Sequence, residues 1–356
     1  MLPSGSDASV TLDDLADYAR ELLAACEANA DAFPGKSRVE LPGLAIDVFS
    51  DHGELARALG HGMVAEIAAG RPATPGRIFL AHPGIGSIPQ PALWGEALFH
   101  PNMFSERLEA NGLRGHYFHD LSYWQFYDVE RQLGVQLMRS ADGCPPWEFG
   151  APLRCFLHWE YAARGMRLTH AGTLGKGGRG VLLAGAGGAG KSGTVASGLL
   201  AGLDSVGDDY VLVEFDGDRS LARPLFTTLK QDRAGFDRLG LARLLPDPGL
   251  LNWQGKYQFR VQDICPRGVA SELDIVALLV PQISGAAQST ITPLARKDAL
   301  MALAPSGIAQ MPGERESGFR FFGELTRRLP CYTLTLGTRG NEIADTIAAF
   351  LDRGNS

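Results

Sequence analysis

The stretch RGVLLAGAGGAGKSGTVASGLL, residues 179–200, limits the fold more than any other part of the chain. It opens with a short apolar run bounded by glycine, the pattern of a buried strand. It closes with apolar residues at helical spacing. Between the two, Gly185, Gly190, Lys191 and Ser192 satisfy G-x-x-x-x-G-K-[ST]. Each part of that pattern has a physical task. Glycines let the backbone wrap an anion without Cβ clashes. Consecutive N–H groups then point inward as an anion nest, and the following helix adds its positive end. We read a phosphate-binding loop made of Gly185, Ala186, Gly187, Gly188, Ala189, Gly190, Lys191, Ser192 and Gly193. Lys191 would reach the β- and γ-phosphates, and the Ser192 hydroxyl would bind Mg²⁺. The competing reading is a structural glycine-rich turn, which the strand before and the helical pattern after disfavour.

The acids near this loop decide what kind of nucleotide protein to expect. Nucleotide hydrolases with such a loop hold Mg²⁺ with an Asp from a second apolar strand. The apolar run ELDIVALLVPQ ends without an acid, and YVLVEFD offers Glu214 or Asp216 as an imperfect substitute. More prominent are Asp208 and Asp209, which precede that strand. Adjacent carboxylates beside a phosphate are costly unless a metal or proton compensates them. One would therefore bind Mg²⁺ while the other accepts a proton from an attacking hydroxyl. A solvated Gly-Asp-Asp turn is the plain alternative. His170, read alone, is more often a structural histidine than a catalytic one.

In register, the segment HAG…GVLLAG…GAGGAGKS…SVGDD resembles the kinase domain of HPr kinase/phosphorylase, which phosphorylates a serine of a sugar-transport protein. His170 lies 21 residues before Lys191, and Asp208 lies 17 after it, as in that family. The likeness is strong over about 45 residues and weaker to about residue 350. It implies an α/β kinase domain of the HPr kinase/PEP carboxykinase-like type, with ATP and Mg²⁺ as cofactors. It implies Asp208 as general base, with Asp209 and Ser192 around the metal. His170 and Lys191 would stand at the transferring phosphate. The family's signature loop after the Asp pair has no counterpart, since ARPLFTTLKQDRAGF stands there. HPr itself is therefore not the expected acceptor. The chain looks like the broader set of related kinases, including those of peptide natural-product clusters, and the expected acceptor is a hydroxyl of a peptide or small molecule. The alternatives are a nucleotide-gated regulatory or binding module, or a simple NTPase using Glu214 or Asp216.

Lys230 in FTTLKQD and Lys256 in WQGKYQF are added as phosphate-binding candidates, because a lysine near the γ-phosphate offsets transition-state charge. Arg296 and Lys297 are weaker candidates. TLKQD does not form a guanine-reading element, because Thr228 is not adjacent to Lys230.

The 356 residues suggest two domains, divided at the turn-rich DGCPPWEFGAP. Residues 1–150 would form a smaller α/β domain with an acceptor-site or regulatory role, and 151–356 the catalytic domain. In the first, residues 1–10 read as a loose tail, and TLDDLADYARELLAACEANA as an amphipathic helix capped by Thr11. VELPGLAIDVFS and RIFLAHPG read as strands around a helical HGELARALGHGMVAEIAAG, and LSYWQFYDVERQLGVQLMRS as one or two strands. The aromatics Trp124, Phe126, Tyr127, Trp147 and Trp159 belong to the core or the domain seam.

The formal charge of −7 argues against a nonspecific nucleic-acid binder. No apolar run approaches the length of a membrane span, and the N-terminus lacks a secretory pattern. The expectation is a cytoplasmic protein with no nucleic acid or membrane partner, and with a homo-oligomer open to it. Five scattered cysteines give neither a disulfide framework nor a zinc site.

Overall fold

The computed structural model describes residues 12–51, 59–60, 62–63, 74–85, 88–91, 101–309, 311–313 and 315–353. The chain is mixed α/β and divides into two compact units. The first takes in the described residues among Met1–Arg38, Ile46–Arg57 and Thr74–Pro145. The second takes in those among Val39–Ala45, Ala58–Ala73 and Pro146–Ser356. The long division thus falls between Pro145 and Pro146, and two N-terminal segments count with the second unit.

The first unit runs α1 (Leu12–Ala28), β1 (Gly35–Leu41), β2 (Leu44–Ser50), β3 (Gly76–Ala81), α2 (Pro101–Ala110), β4 (Leu113–Phe118), β5 (Tyr123–Asp128) and β6 (Leu133–Leu137). Its six-stranded sheet has the order β1-β2-β3-β6-β5-β4, parallel where β3 meets β2 and β6, antiparallel between β6, β5 and β4. VELPGLAIDVFS folds as two strands, not one, because Pro42 and Gly43 make a turn and Gly43 takes φ +66°. The helical stripe Leu15, Ala19, Leu22, Leu23 and Cys26 packs into one core with Phe79, Trp124, Phe126 and Val135. The tail 1–10, the Thr11 cap and most of HGELARALGHGMVAEIAAG lie outside the described residues.

The second unit runs α3 (Arg154–Ala163), β7 (Arg167–Thr169), β8 (Ala171–Lys176), β9 (Arg179–Ala184), α4 (Lys191–Leu200), β10 (Val211–Asp216), β11 (Arg219–Arg223) and β12 (Thr228–Asp232). It continues with α5 (Arg233–Arg238), β13 (Lys256–Arg260), α6 (Val261–Ile264), β14 (Leu273–Ala286), β15 (Thr290–Pro293), α7 (Arg296–Ala309), α8 (Arg315–Arg328), β16 (Cys331–Gly337) and α9 (Gly340–Arg353). The long strand β14 carries β9 along one edge and β16 along the other, both parallel to it. β8 runs antiparallel to β9, while β7, β10 and β11 extend the sheet.

β9 is buried on both faces, which is why it reads as an unbroken apolar run. Val181 and Leu183 pack with Val195 and Leu199 of α4 and Ile347 of α9. Leu182 and Ala184 pack on the other side with Leu303 of α7 and Phe322 of α8. Helix α8, unread in the sequence, is placed by buried Gly318, Phe322, Leu325 and Thr326 at helical spacing. Among the described residues, no helix is long and apolar enough to cross a membrane.

Candidate active site

The chain leaves β9 at Ala184 and turns through residues 185–190 into α4. Gly185, Gly188 and Gly190 take φ of +153°, +81° and +98°, which a side chain would strain. At Gly190 space is as tight as the backbone: a Cβ there would come 2.5 Å from Leu336 Cδ1, at the end of β16, with Ile283 of β14 next to it. The loop therefore sits outside the C-terminal ends of β9, β14 and β16, where open α/β sheets place ligands. The Lys191 side chain is folded back on this loop, its Nζ donating to Gly185 O at 2.6 Å and Ala186 O at 3.2 Å. Burial pulls the Lys191 pKa down, against the raising influence of Asp208 and Asp209.

The HAG and SVGDD segments, 32 or more residues apart, are laced together. Thr173 N donates to Gly207 O at 3.1 Å, Val206 N donates to Thr173 Oγ1 at 2.9 Å, and Gly207 N donates to Ser205 Oγ at 3.0 Å. This binds β8 to the turn that carries the acids. Gly172 must lack a side chain, since a Cβ would meet Val195 Cγ2 at 2.5 Å and Asp208 Oδ1 at 3.0 Å. Asp208 is 1% exposed, and its Oδ1 has no hydrogen-bond partner. Burial pushes its pKa up, and the Asp209 charge adds to this. The Ser192 hydroxyl and Lys191 beside it work the other way.

Asp209 is held differently. Its backbone takes φ +71°, a left-handed conformation that costs on the order of 1–3 kcal/mol and clusters at functional sites. Its Oδ1 is 3.0 Å from His170 Nε2, and its Oδ2 accepts from Lys230 Nζ at 2.8 Å. Burial alone would raise the Asp209 pKa, but the His170 hydrogen bond and the Lys230 charge outweigh it. The carboxylate is held well below the usual range. The His170 ring lies 5.2 Å from that of Tyr210, whose hydroxyl accepts from Arg154 at 3.3 Å.

Lys230 and Lys256 stand on the two strands of one ribbon. β12 pairs antiparallel with β13, Lys230 opposite Gln258 and Asp232 opposite Lys256. Side chains two residues apart share a face, so the two lysines point the same way. Lys256 is close enough to lower the Lys191 pKa, and it makes no ion pair among the described residues. Lys230 is pressed under Gly150, where a Cβ would come 3.0 Å from its Nζ.

Other sequence candidates fall elsewhere. Glu214 is paired to Arg223 at 2.6 Å, and Asp216 is exposed near Arg219. Both lie along β10, which leads away from Asp208 at about 3.3 Å per residue. Arg296 follows β15, whose last residue Pro293 pairs with Tyr332 at the start of β16, the end of the sheet opposite the Gly185–Gly190 loop. Trp124, Phe126, Tyr127 and Trp159 are buried, whereas Trp147 is partly exposed against Trp253, ring centres 5.7 Å apart.

Sequence reasoning passed over Arg154 and Tyr210, and took the stretch around Glu148 for a rigid turn. Glu148 is 1% exposed and accepts from Leu153 N at 2.6 Å, with Oε1 unpartnered. Burial pushes its pKa up to about 7, against the Leu153 hydrogen bond and the Arg154 charge. A glutamate in a turn-rich stretch carries no signal of burial, so nothing in the chain pointed to it.

A hard cation such as Mg²⁺ takes one or two protein oxygens and completes its shell with phosphate oxygens and water. Ser192 Oγ, at the first turn of α4, suits that demand. Asp209, expected as the metal ligand, has both oxygens engaged by His170 and Lys230. Among the described residues there is no cluster of three or more His, Cys, Asp or Glu arranged to hold a metal by themselves.

No family model matches the chain, and no curated protein matches it. Among solved structures, the Hpr(Ser) kinase/phosphatase from Coxiella burnetii is similar at 10% identity and a TM-score of 0.29, covering 53% of this chain and 99% of its own.

Proposed function

We propose that the protein is an ATP- and Mg²⁺-dependent kinase that phosphorylates a hydroxyl group of a peptide or small molecule. The observation that carries this reading is Asp208: a buried carboxylate with a free oxygen, placed beside Ser192 at the first turn after the glycine-rich loop. A raised carboxylate pKa brings a general base nearer to working pH. Phosphoryl transfer demands positioning and charge neutralisation more than covalent work by the protein, and the site is built of such parts.

In this reading the loop amides and Lys191 hold the β- and γ-phosphates. Lys191 exchanges the Gly185 and Ala186 carbonyls for phosphate oxygens as it does so. Mg²⁺, held by Ser192 and by phosphate oxygens, would neutralise phosphate charge when bound. Asp208 takes the proton from the acceptor hydroxyl as its oxygen bonds to the γ-phosphorus and the bond to the β-phosphate oxygen breaks. The products are a phosphate monoester and a nucleoside diphosphate. Asp209 orients His170 and Lys230 toward the departing charge.

The test is transfer of ³²P from γ-labelled ATP to lysate peptides or metabolites. Asp208→Asn is expected to lower transfer by about 10³-fold, within the range of lost general-base catalysis, while ATP affinity stays within about threefold of wild type. Full activity in Asp208→Asn would overturn the role assigned to it. Tight ATP binding with no acceptor product from the wild type would favour a nucleotide-gated module instead.

A further inference from the structure

The β12–β13 ribbon has one face in the core and one turned outward. Leu229 and Phe259 are buried beneath it, while Lys230, Gln258 and Lys256 share the other face. The single turn Pro146–Phe149 is fastened onto that outer face. Gln258 Nε2 donates to Phe149 O at 2.9 Å, Thr228 Oγ1 donates to Gly150 O, and a Cβ at Gly150 would come 2.9 Å from Lys230 Cε. Lys230 in turn reaches Asp209 at 2.8 Å. The turn is thus anchored beside the candidate site. What it and the loop between the two strands show to solvent is apolar: Phe149 is 37% exposed, Leu251 46%, Trp253 54% and Leu250 94%. With Leu244 of the same loop, these make up five of the ten large apolar residues exposed among the described residues, and such a concentration marks an interaction site. Trp253 is not on a slack loop. Asn252 Oδ1 accepts from Gln254 N at 2.9 Å and from Lys256 N at 3.1 Å, and Asn252 N donates to Lys256 O at 2.8 Å. The indole also meets Trp147 edge-on. An exposed tryptophan ordered in advance loses little freedom when a partner packs on it.

Charge and span say what kind of partner fits. Residues 228–260 hold six Lys and Arg against three Asp, a net +3 in a chain of formal charge −7. Lys256 stands across from Asp232, two residues or about 7 Å along the ribbon from Lys230, and Trp253 lies in the turn that enters the strand there. A ligand that runs from Asp209 to Trp253 is of peptide length. We propose that this surface seats the acceptor: a peptide whose aromatic or aliphatic side chain packs on Trp253 and Leu251, whose acidic side chain meets Lys256, and whose hydroxyl is thereby brought to Asp208. This rests on the proposed kinase reading of the site. Tryptophan is among the residue types that most often dominate the energy of such contacts.

The probe is a library of nonapeptides with one central serine and randomised flanks, incubated with ATP, Mg²⁺ and the full chain, and read by mass spectrometry for phosphorylated products. Wild type is expected to enrich Trp, Phe or Leu at one flanking position and Asp or Glu at another. For the best peptide, Trp253→Ala should raise KM by about tenfold, as loss of an aromatic anchor does. Its kcat should stay within about twofold, because binding and not chemistry is removed. Leu251→Ser should act in the same direction, and Trp253→Phe should recover most of the loss. Both positions are exposed, so melting temperatures should not change. The inference is overturned if wild type shows no apolar preference, if the preference survives Trp253→Ala, or if only lysate metabolites and no peptides are phosphorylated. It is also overturned if Trp253→Ala changes the oligomeric state and leaves peptide selection intact, which would make the patch a contact between copies of this chain. In each of these cases the kinase reading stands. Transfer to no peptide and to no metabolite would sink both.

Discussion

Lys230 Nζ and Asp209 Oδ2 are 2.8 Å apart across 21 residues of chain, and the same carboxylate holds His170 on its other oxygen. Asp209 is thus a clamp between two groups of the site. Its backbone there is left-handed, φ +71°. Asp208, its neighbour, has no such clamp and keeps a free oxygen.

The clamp predicts a pattern across single and double variants. Lys230→Met leaves a partly buried carboxylate with only His170, so stability should fall by about 2 kcal/mol in chemical denaturation. Adding Asp209→Asn removes the stranded charge, and the double variant should regain most of that loss without regaining transfer activity. Additive losses in the double variant would mean that the two side chains do not depend on each other.

A second expectation concerns pH. Burial and the Asp209 charge raise the Asp208 pKa, and in the proposed reaction Asp208 acts as base only when deprotonated. The acid limb of kcat/KM should therefore lie above the ordinary Asp value of about 4. In Asp209→Asn one raising influence is gone, so the limb should move to lower pH in the residual activity. A limb that stays in place in this variant would show that Asp208 is not the group being titrated.

Glu148 offers a stability test free of the chemistry. Its pKa is raised to about 7 by burial, so folding favours its protonated form. The associated stability is present below the unfolded value, near 4.5, and is lost as pH rises toward 7. Glu148→Gln keeps an acceptor for Leu153 N and carries no charge. The variant should match wild type near pH 4.5 and exceed it at pH 8 by roughly 3 kcal/mol, following the size of the shift. Equal denaturation curves at pH 8 would place Glu148 in contact with a compensating charge.

Several parts of this architecture are legible in the residue order. The strand β9, the loop and helix α4 follow from apolar periodicity and glycine placement, and the stripe of α1 from its 3.6-residue spacing. The two strands of VELPGLAIDVFS are readable only in part, because a Pro-Gly pair inside an apolar run can be a bulge or a full turn. Helix α8 hides behind two glycines, and its buried face becomes visible only where Arg167 and the sheet stand against it.

What the residue order determined by itself was local: where strand gives way to loop and loop to helix, and which residue types line that loop. Those choices depend on side-chain period and on glycine's freedom at positive φ, and both are properties of neighbours in the chain. Tertiary structure alone decided that Asp209 faces Lys230 and His170, that Lys230 and Lys256 share one face of a ribbon, and that Trp147 meets Trp253. Such contacts depend on strand register and on how distant segments pack. A shift of one residue in the β12–β13 pairing would send the two lysines to opposite faces without altering any local pattern.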